Sequence, residues 1–399
     1  TEIYLLTTTL LDLRAAAVIG AAFLTVIAIA EVWSRAGRGN PEWTRKLVHV
    51  AGGFICLSFP FVLQSAWTVL LLSVLMTGLF IFGAATRMFQ CLHRVKRRSR
   101  GSEYYPLSVF LVFFLARGQP WLYVASMLVL AVADAFAALI GMRYGRLRYT
   151  VEEETKSVEG SLAFLAIAFV AILAPALLLS DLPVEVCVRS ALLVAALVTG
   201  FEAICLTGTD NLFVPLGTCV ILAKITTKPV PEILYQNASF AALLLLIGFL
   251  AWRVRAMNVG GALVMALFTY GAWSLGSEAW GAPILLGFLG YTFLCARYPL
   301  GEAQRVRVVF RTISIPLVVL LFANMLHREE RLYFPFLASL ATVLALSLRN
   351  HLRMPAHARA HAWPADRIWP AGHMLLTAAA ALLTLVLVRA GWIPEWAGP

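Results

Sequence analysis

The chain has 399 residues, of which 61% are hydrophobic and only 13% are charged. Soluble globular domains carry about 25% charged residues, so this composition excludes an ordinary soluble domain. The net charge of +11 would suit a nucleic-acid partner, but the basic residues lie in short loops between apolar runs, a placement that argues against nucleic acid.

Apolar runs long enough to cross a bilayer as helices recur along the whole chain. They predict an all-α, polytopic transmembrane bundle, because a spanning helix satisfies its own backbone hydrogen bonds. The first run is too long for the core of a signal peptide, so we expect it to be retained. About fourteen spans are predicted, at residues 13–34, 44–63, 66–86, 105–117, 119–141, 161–180, 185–206, 209–224, 233–252, 259–277, 282–296, 308–326, 331–348 and 371–390.

Most of the 32 Lys and Arg residues fall in alternate loops. By the positive-inside rule those loops are cytoplasmic, which places both termini on the non-cytoplasmic side. The densest basic loop, residues 87–104, is either a topology determinant alone or a surface that steers an anionic nucleotide to the protein. We expect a multi-pass protein of a prokaryotic inner membrane with a cytoplasmic active site, and the sequence gives no indication of its oligomeric state.

The pattern of charges changes at about residue 230. Residues 1–230 carry ionisable side chains inside their apolar runs, whereas residues 231–399 carry few. We therefore expect a catalytic membrane domain in 1–230 and an additional transmembrane bundle of unassigned role in 231–399. The His-rich stretch 349–370 is either a solvated loop or, less simply, a metal site.

Basic residues gather where the second apolar run begins. Arg45 and His49 are one helical turn apart and share a face, with Lys46 beside them. Arg and Lys are the usual partners of phosphate, so these residues either face an anion or are ordinary interfacial and core groups. Just before them, Glu31 and Arg35 have the spacing of an ion pair along one helix.

Asp134 lies inside an apolar run, where an ionisable side chain costs roughly 2.5–3.5 kcal/mol and therefore usually marks a functional site. Gly141 and Gly145 follow it at a small-xxx-small spacing. That spacing is typical of close helix packing. Alternatively, the two glycines open a loop whose backbone N–H groups approach a phosphate.

The polar loop that follows ends in a compact group of a cation, two hydroxyls, an acid and a glycine, namely Lys156, Ser157, Glu159, Gly160 and Ser161. Ser157 and Glu159 have the right types and positions to begin the next helix, since Ser caps helix N-termini and acids favour the first turn. The same residues supply parts from which a phosphate and metal site can be built.

Two further acids come at a similar depth. Glu202 ends a later apolar run, and Asp210 and Asn211 follow in the next turn. Asp210 could simply cap a short helix, but capping does not account for Glu202. Together with Asp134 they make three carboxylates near one membrane face, and such oxygen ligands suit Mg²⁺, which also shares phosphate oxygens with a substrate.

Taken together, these motifs and their order resemble the CTP-dependent lipid-alcohol kinases (dolichol kinase, phytol kinase and yeast-type diacylglycerol kinase), which are related to the phosphatidate cytidylyltransferases. The resemblance covers about residues 40–225. It implies a cytoplasmic site that uses CTP and a divalent cation to phosphorylate a membrane-embedded polyprenol, dolichol, phytol or diacylglycerol.

On this hypothesis the site residues take three kinds of role. Asp134 and Asp210 hold Mg²⁺, Lys156 holds the phosphates, and Glu159 or Glu202 orients or deprotonates the lipid hydroxyl. The remaining candidates bind the nucleotide phosphates or the lipid head: Arg45, Lys46, His49, Gly141, Gly145, Ser157, Gly160, Ser161 and Asn211.

Two other functions remain open. A cytidylyltransferase would make a CDP-lipid and release pyrophosphate. A transporter would use the intramembrane acids as ion sites, although transporters often show inverted repeats and no repeat is evident in this sequence.

Overall fold

The computed structural model describes residues 2–36, 41–86, 101–116, 118–152, 154–254, 259–295 and 306–352. The chain forms two compact units, Thr1–Asn237 and Ala238–Pro399. The change in charge pattern near residue 230 lies a few residues before this boundary.

The described part of the chain is almost entirely helical. Its helices are α1 Glu2–Arg35, α2 Pro41–Leu57, α3 Phe59–Val62, α4 Ala66–Thr86, α5 Gly101–Leu115, α6 Pro120–Leu128, α7 Asp134–Tyr144, α8 Val158–Leu179, α9 Val184–Ile204, α10 Asp210–Ile225, α11 Val230–Val254, α12 Val259–Leu275, α13 Glu278–Cys295, α14 Val306–Leu326 and α15 Glu329–Leu352. A π-helical turn, Val129–Ala133, joins α6 to α7.

Seven helical stretches among the described residues are long and apolar enough to cross a membrane, and all seven coincide with predicted spans. They are Leu10–Arg35, Trp43–Val62, Ala66–Thr86, Pro120–Tyr144, Val158–Leu179, Val184–Ile204 and Val230–Arg253. The prediction of an all-α, polytopic membrane protein is therefore confirmed. The total of fourteen spans and the side of the termini stay predictions. Predicted span 371–390, loop residues 87–100 and most of stretch 349–370 lie outside the described residues.

A small β-hairpin interrupts the helices, and the sequence interpretation did not include it. Strands β1, Arg148–Val151, and β2, Glu154–Ser157, pair antiparallel, with Tyr149 opposite Lys156. Aromatic and β-branched residues favour strands, and Val151 is fully buried. The hairpin gives the polar loop a defined shape, and it fixes the backbone of Lys156.

The predicted ion pair at the end of α1 is present, with Arg35 Nε 2.8 Å from Glu31 Oε1. A second acid of this helix, Asp12, is 3% exposed. Its carboxylate accepts hydrogen bonds from the backbone N–H groups of Gln64 (3.1 Å) and Ser65 (2.8 Å) just before α4. Asp12 therefore ties the first helix to the turn that starts another.

We expect Asp12→Ala to destabilise the protein by about 1–3 kcal/mol, because two backbone donors lose a charged acceptor. The midpoint of thermal unfolding in detergent measures the effect. Asp181→Ala, at an exposed position, is the control and should leave the midpoint unchanged. Equal midpoints for both variants would contradict the role given to Asp12.

Helices α7 and α8 touch through glycines. A Cβ atom at Gly160 would lie 3.0 Å from the carbonyl oxygen of Ala137 and 3.3 Å from the Cα of Gly141. A Cβ atom at Gly141 would lie 3.0 Å from Ser157 Oγ. Close packing, one of the two interpretations of these glycines, is therefore present, and it brings α7 against the start of α8.

We expect Gly160→Ala to cost about 1–3 kcal/mol, because the added methyl group meets helix backbone that cannot rotate away. Gly78→Ala is the matched control, since no heavy atom lies within 4 Å of a Cβ built there. It should be neutral or stabilising by about 0.5–1 kcal/mol, the usual gain of Ala over Gly inside a helix. Thermal unfolding of the two variants side by side provides the measurement.

The second unit has an aromatic core. The ring of Trp280 lies 5.4 Å from that of Tyr333 and 4.6 Å from that of Phe336. The Tyr333 hydroxyl donates a hydrogen bond to the carbonyl of Ala279 at 3.0 Å. These contacts pack α13 against α15, and they do not indicate a catalytic role.

Candidate active site

A cavity of about 790 Å³ lies within the first unit. Its lining includes seven ionisable candidates from the sequence, on five separate elements: Arg45, Lys46, His49, Asp134, Lys156, Glu202 and Asp210. Three further charged residues, Glu103, Arg148 and Glu154, also line it and were not sequence candidates. Residues that are far apart in the chain therefore line one cavity.

The first charged pair joins α2 to α7. Lys46 Nζ lies 2.6 Å from Asp134 Oδ2 and also donates a hydrogen bond to the Asp134 carbonyl at 3.3 Å. The two side chains are only 7% and 16% exposed. A π-turn, which is often found at functional sites, ends directly before Asp134 and interrupts the regular helix there.

His49 connects to the same carboxylate. Its Nε2 lies 2.9 Å from the Leu130 carbonyl and 3.4 Å from Asp134 Oδ2. Both neighbours are hydrogen-bond acceptors, so Nε2 carries the proton. The imidazole thereby holds the π-turn and Asp134 in place.

The second charged pair is formed by the hairpin and α9. Lys156 Nζ lies 2.7 Å from Glu202 Oε1 and also donates a hydrogen bond to the Glu202 carbonyl. Burial by itself would lower the pKa of Lys156, but the nearby carboxylates of Glu202 and Asp210 outweigh it and raise the pKa above its ordinary value. The lysine is therefore charged at neutral pH.

Asp210 is in the first turn of α10. Its Oδ1 is buried and has no hydrogen-bond partner among the described residues. A buried polar atom without a partner is costly unless something else completes its bonding. A cation would do so, and Mg²⁺ needs only one or two protein carboxylates beside phosphate oxygens and waters. The described residues contain no group of three or more His, Cys, Asp or Glu side chains placed to hold a metal ion.

Other candidates shape the loop. Ser157 caps α8 by accepting a hydrogen bond from the Gly160 N–H at 3.1 Å, and Ser161 Oγ lies 2.8 Å from the Tyr149 hydroxyl. Glu159 Oε1 accepts hydrogen bonds from the backbone N–H groups of residues 146 and 147 at 2.9 and 3.0 Å. Glu159 therefore holds the start of the hairpin.

The cavity wall includes some of these loop candidates and excludes others. Gly141, Ser157, Gly160, Ser161 and the buried Asn211 line it. Glu159 and Gly145 are not among its lining residues, because the Glu159 side chain is bound to the loop backbone and Gly145 packs against Ser157.

Several lining residues were absent from the sequence candidates, and Tyr105 is one of them. Tyr105, near the start of α5, packs edge-on against the His49 ring with centroids 5.0 Å apart. It belongs to a short apolar run, where a tyrosine is usually a core residue, so composition alone gave no signal. The apolar part of the wall is formed by Phe23, Phe59, Leu72, Met76, Phe80 and Val109.

Comparison with known proteins identified one informative relative. The phytol kinase of Synechocystis sp. is 32% identical over 209 residues, which cover 52% of this chain and 88% of that protein. No family model matches the chain, and no solved structure matches it. At this identity, and over nearly the whole length of the relative, the chain belongs to the phytol kinase family.

Proposed function

We propose that the chain is a membrane-embedded kinase that transfers the γ-phosphate of CTP to the hydroxyl of a lipid alcohol. The relationship to a phytol kinase supports this class of activity. The observation that carries the proposal is a single cavity whose wall combines two buried lysine–acid pairs with a set of apolar side chains. A charged nucleotide and a lipid tail need such opposite surroundings.

Phosphoryl transfer depends mainly on positioning and on neutralising phosphate charge. Lys156 and Lys46 each carry their charge into the cavity, with Arg45 beside them on its wall. In the proposed mechanism these cations bind the phosphate oxygens of the nucleotide. The hairpin and the capped start of α8 hold the backbone of Lys156 in place for this contact.

Asp210 and Asp134 would hold a divalent cation, which, when bound, neutralises charge on the β- and γ-phosphates. Asp210 has an oxygen available for this role. Asp134 is bonded to Lys46 at present, so it would exchange that partner when the nucleotide binds. Once Lys156 binds phosphate instead of Glu202, Glu202 would orient the lipid hydroxyl or accept its proton.

The apolar side chains of the wall would hold the lipid tail, and the lipid hydroxyl would lie where these side chains meet the charged ones. The excess of Lys and Arg in alternate loops supports a site that faces the cytoplasm, where CTP is available. The acceptor proposed is a long-chain alcohol such as phytol, a polyprenol, dolichol or diacylglycerol.

Product analysis separates this proposal from its rivals. The purified full-length chain, Mg²⁺ and a prenyl alcohol are supplied with CTP labelled on the γ-phosphate or on the α-phosphate. The kinase proposal expects γ-label in a lipid monophosphate and α-label in released CDP. α-Label in the lipid together with γ-label in pyrophosphate would show a cytidylyltransferase, and no labelled lipid from any acceptor would refute both.

A further inference from the structure

Strand β2 contacts the end of α9 and the turn after it with two of its side chains. Glu154 and Lys156 are two positions apart, so they project to the same side of the strand. Lys156 is bonded to the carboxylate and the carbonyl of Glu202, near the end of α9. Glu154 Oε1 accepts a hydrogen bond from the Thr207 backbone N–H at 2.9 Å. The hairpin is therefore attached both to α9 and to the turn that leads into α10.

The turn between α9 and α10 has an unusual backbone. Thr207 has a φ of 54° and Gly208 has a φ of 88°. For a β-branched residue such as threonine a positive φ is an outlier, which persists only where the surrounding structure holds it. Glu154 bonds to the N–H of this same residue, and the Thr209 hydroxyl bonds to the backbone of Leu206. Two side chains, one from the hairpin and one from the turn itself, therefore hold this backbone.

The turn positions a residue on which the proposed mechanism depends. Asp210 comes three residues after Thr207 and begins α10. It lines the cavity together with Lys156. The proposed phosphate-binding cation and the proposed Mg²⁺ ligand thus belong to two separate segments, β2 and the start of α10. Their separation depends on how firmly the hairpin and the turn are joined.

The proposed mechanism breaks one of the two attachments. When the nucleotide binds, Lys156 exchanges Glu202 for phosphate, and the hairpin loses its bond to the end of α9. The hydrogen bond from the Thr207 N–H to Glu154 takes no part in that exchange. It remains while Lys156 changes partner, and it keeps β2 beside the turn.

We infer that Glu154 is a positioning residue, which holds Lys156 and Asp210 at the separation that a Mg²⁺-bound triphosphate requires. The inference rests on the proposed function and adds to it a residue that acts through the backbone of the turn. A carboxylate suits this task, because hydrogen bonds from backbone N–H groups to an ionised acceptor are stronger than neutral ones. Loss of Glu154 should therefore weaken nucleotide binding and leave binding of the lipid alcohol unchanged.

Two variants of Glu154 test the inference. Glu154→Ala removes the contact, whereas Glu154→Gln removes the charge but keeps an oxygen that can accept the same hydrogen bond. Binding of β,γ-imido-CTP with Mg²⁺ is measured for the full chain in lipid nanodiscs, without a lipid acceptor. Glu154→Ala should weaken this binding by about threefold to tenfold, less than a buried hydrogen bond to a charged group, because the contact is exposed. Glu154→Gln should recover most of the affinity, and equal losses in the two variants would overturn the inference.

Asp12→Ala is the matched control. Asp12 also accepts hydrogen bonds from backbone N–H groups of a turn that precedes a helix, but it does not line the cavity. This variant should lower the midpoint of thermal unfolding and leave nucleotide affinity at the wild-type value. A loss of nucleotide affinity as large as that of Glu154→Ala would show a general effect of lower stability, and it would overturn the inference.

Steady-state kinetics with a prenyl alcohol separate positioning from a loss of folded protein. A smaller folded fraction lowers kcat and changes neither KM. A displaced Lys156–Asp210 pair raises the KM for CTP and the Mg²⁺ concentration that gives half the maximal rate, with the KM for the alcohol unchanged. We expect the second pattern for Glu154→Ala, and a fall in kcat alone would contradict a positioning role.

The inference and the proposed function can fail separately. If the wild type phosphorylates the alcohol and Glu154→Ala keeps its nucleotide affinity and its KM for CTP, the inference is wrong while the proposed function stands. If nucleotide affinity depends on Glu154 and no lipid phosphate forms, the proposed function fails while the positioning role stands. A wild type that binds no nucleotide would overturn both.

Discussion

Lys156→Met is expected to reduce lipid phosphorylation by at least about 100-fold, the scale on which charge-stabilising groups act in enzymes. Lys156 is 15% exposed, and two carboxylates, Glu202 and Asp210, raise its pKa despite burial. Methionine has a similar length and no charge, so the phosphates would lose the cation that Lys156 brings to the cavity wall. Initial rates with saturating acceptor and varied CTP measure the effect.

The control is another paired lysine of the same unit. Lys228 pairs with Glu232 one turn away, and the two side chains are 21% and 42% exposed. Lys228→Met should keep activity within about twofold, because neither residue of this pair lines the cavity. A similar loss in both variants would show that the effect of Lys156→Met is not specific to the cavity.

Loss of fold and loss of chemistry can be separated. Lys156→Met leaves the Glu202 carboxylate, which is 14% exposed, without its cation, and breaking a buried pair costs about 3–5 kcal/mol. The double variant Lys156→Met/Glu202→Gln removes both charges and should recover thermal stability. Its activity should stay at the level of the single variant, and recovery of activity would contradict a phosphate-binding role for Lys156.

Asp134→Asn is expected to have an effect of similar size, at least about 100-fold on the rate. Asparagine fills the same space but gives Lys46 no counter-charge and would give a cation a weaker ligand. The dependence of the rate on Mg²⁺ should also shift to higher concentration. The measurement is a Mg²⁺ titration of activity for the wild type and the variant.

Glu185→Gln is the control for Asp134→Asn. Glu185 forms an ion pair with Arg189 at the same 2.6 Å, but its side chain is 57% exposed. We expect this variant to keep the wild-type rate and the wild-type Mg²⁺ dependence. A normal Mg²⁺ curve for Asp134→Asn would contradict its proposed place beside the cation.

The helices were predictable because the signal for a membrane span is local. Long apolar runs such as residues 66–86 define their own boundaries. The hairpin was not predictable in the same way, since its strands, Arg148–Val151 and Glu154–Ser157, are short and polar. Each strand has only one buried residue, Val151 in β1 and Ser157 in β2.

The members of the site were easier to predict than their partners. Asp134 and Glu202 were identifiable because charge inside an apolar run is costly, and Lys156 because it lies in a polar loop beside two hydroxyls, an acid and a glycine. Lys46 and Asp134 are 88 residues apart, and nothing local indicated that they pair. Residues 157–161 were open to two interpretations, helix capping and phosphate binding. The structure shows that Ser157 caps α8 and that Glu159 accepts a hydrogen bond from the backbone before the hairpin.

Tyr105 illustrates what composition cannot reveal. A tyrosine in an apolar run is ordinarily a core residue, and the fold is needed to show that Tyr105 lines a cavity. The described aromatic contacts of the second unit are those of a packed core, and they do not indicate a function for it.

The most direct test of the central claim is a structure of the full chain with Mg²⁺ and the non-hydrolysable analogue β,γ-imido-CTP. The account predicts triphosphate density inside the cavity, in contact with Lys156 and sharing a cation with Asp210. Nucleotide density outside the cavity, or a cavity filled by lipid with the Lys46–Asp134 and Lys156–Glu202 pairs unchanged, would contradict it.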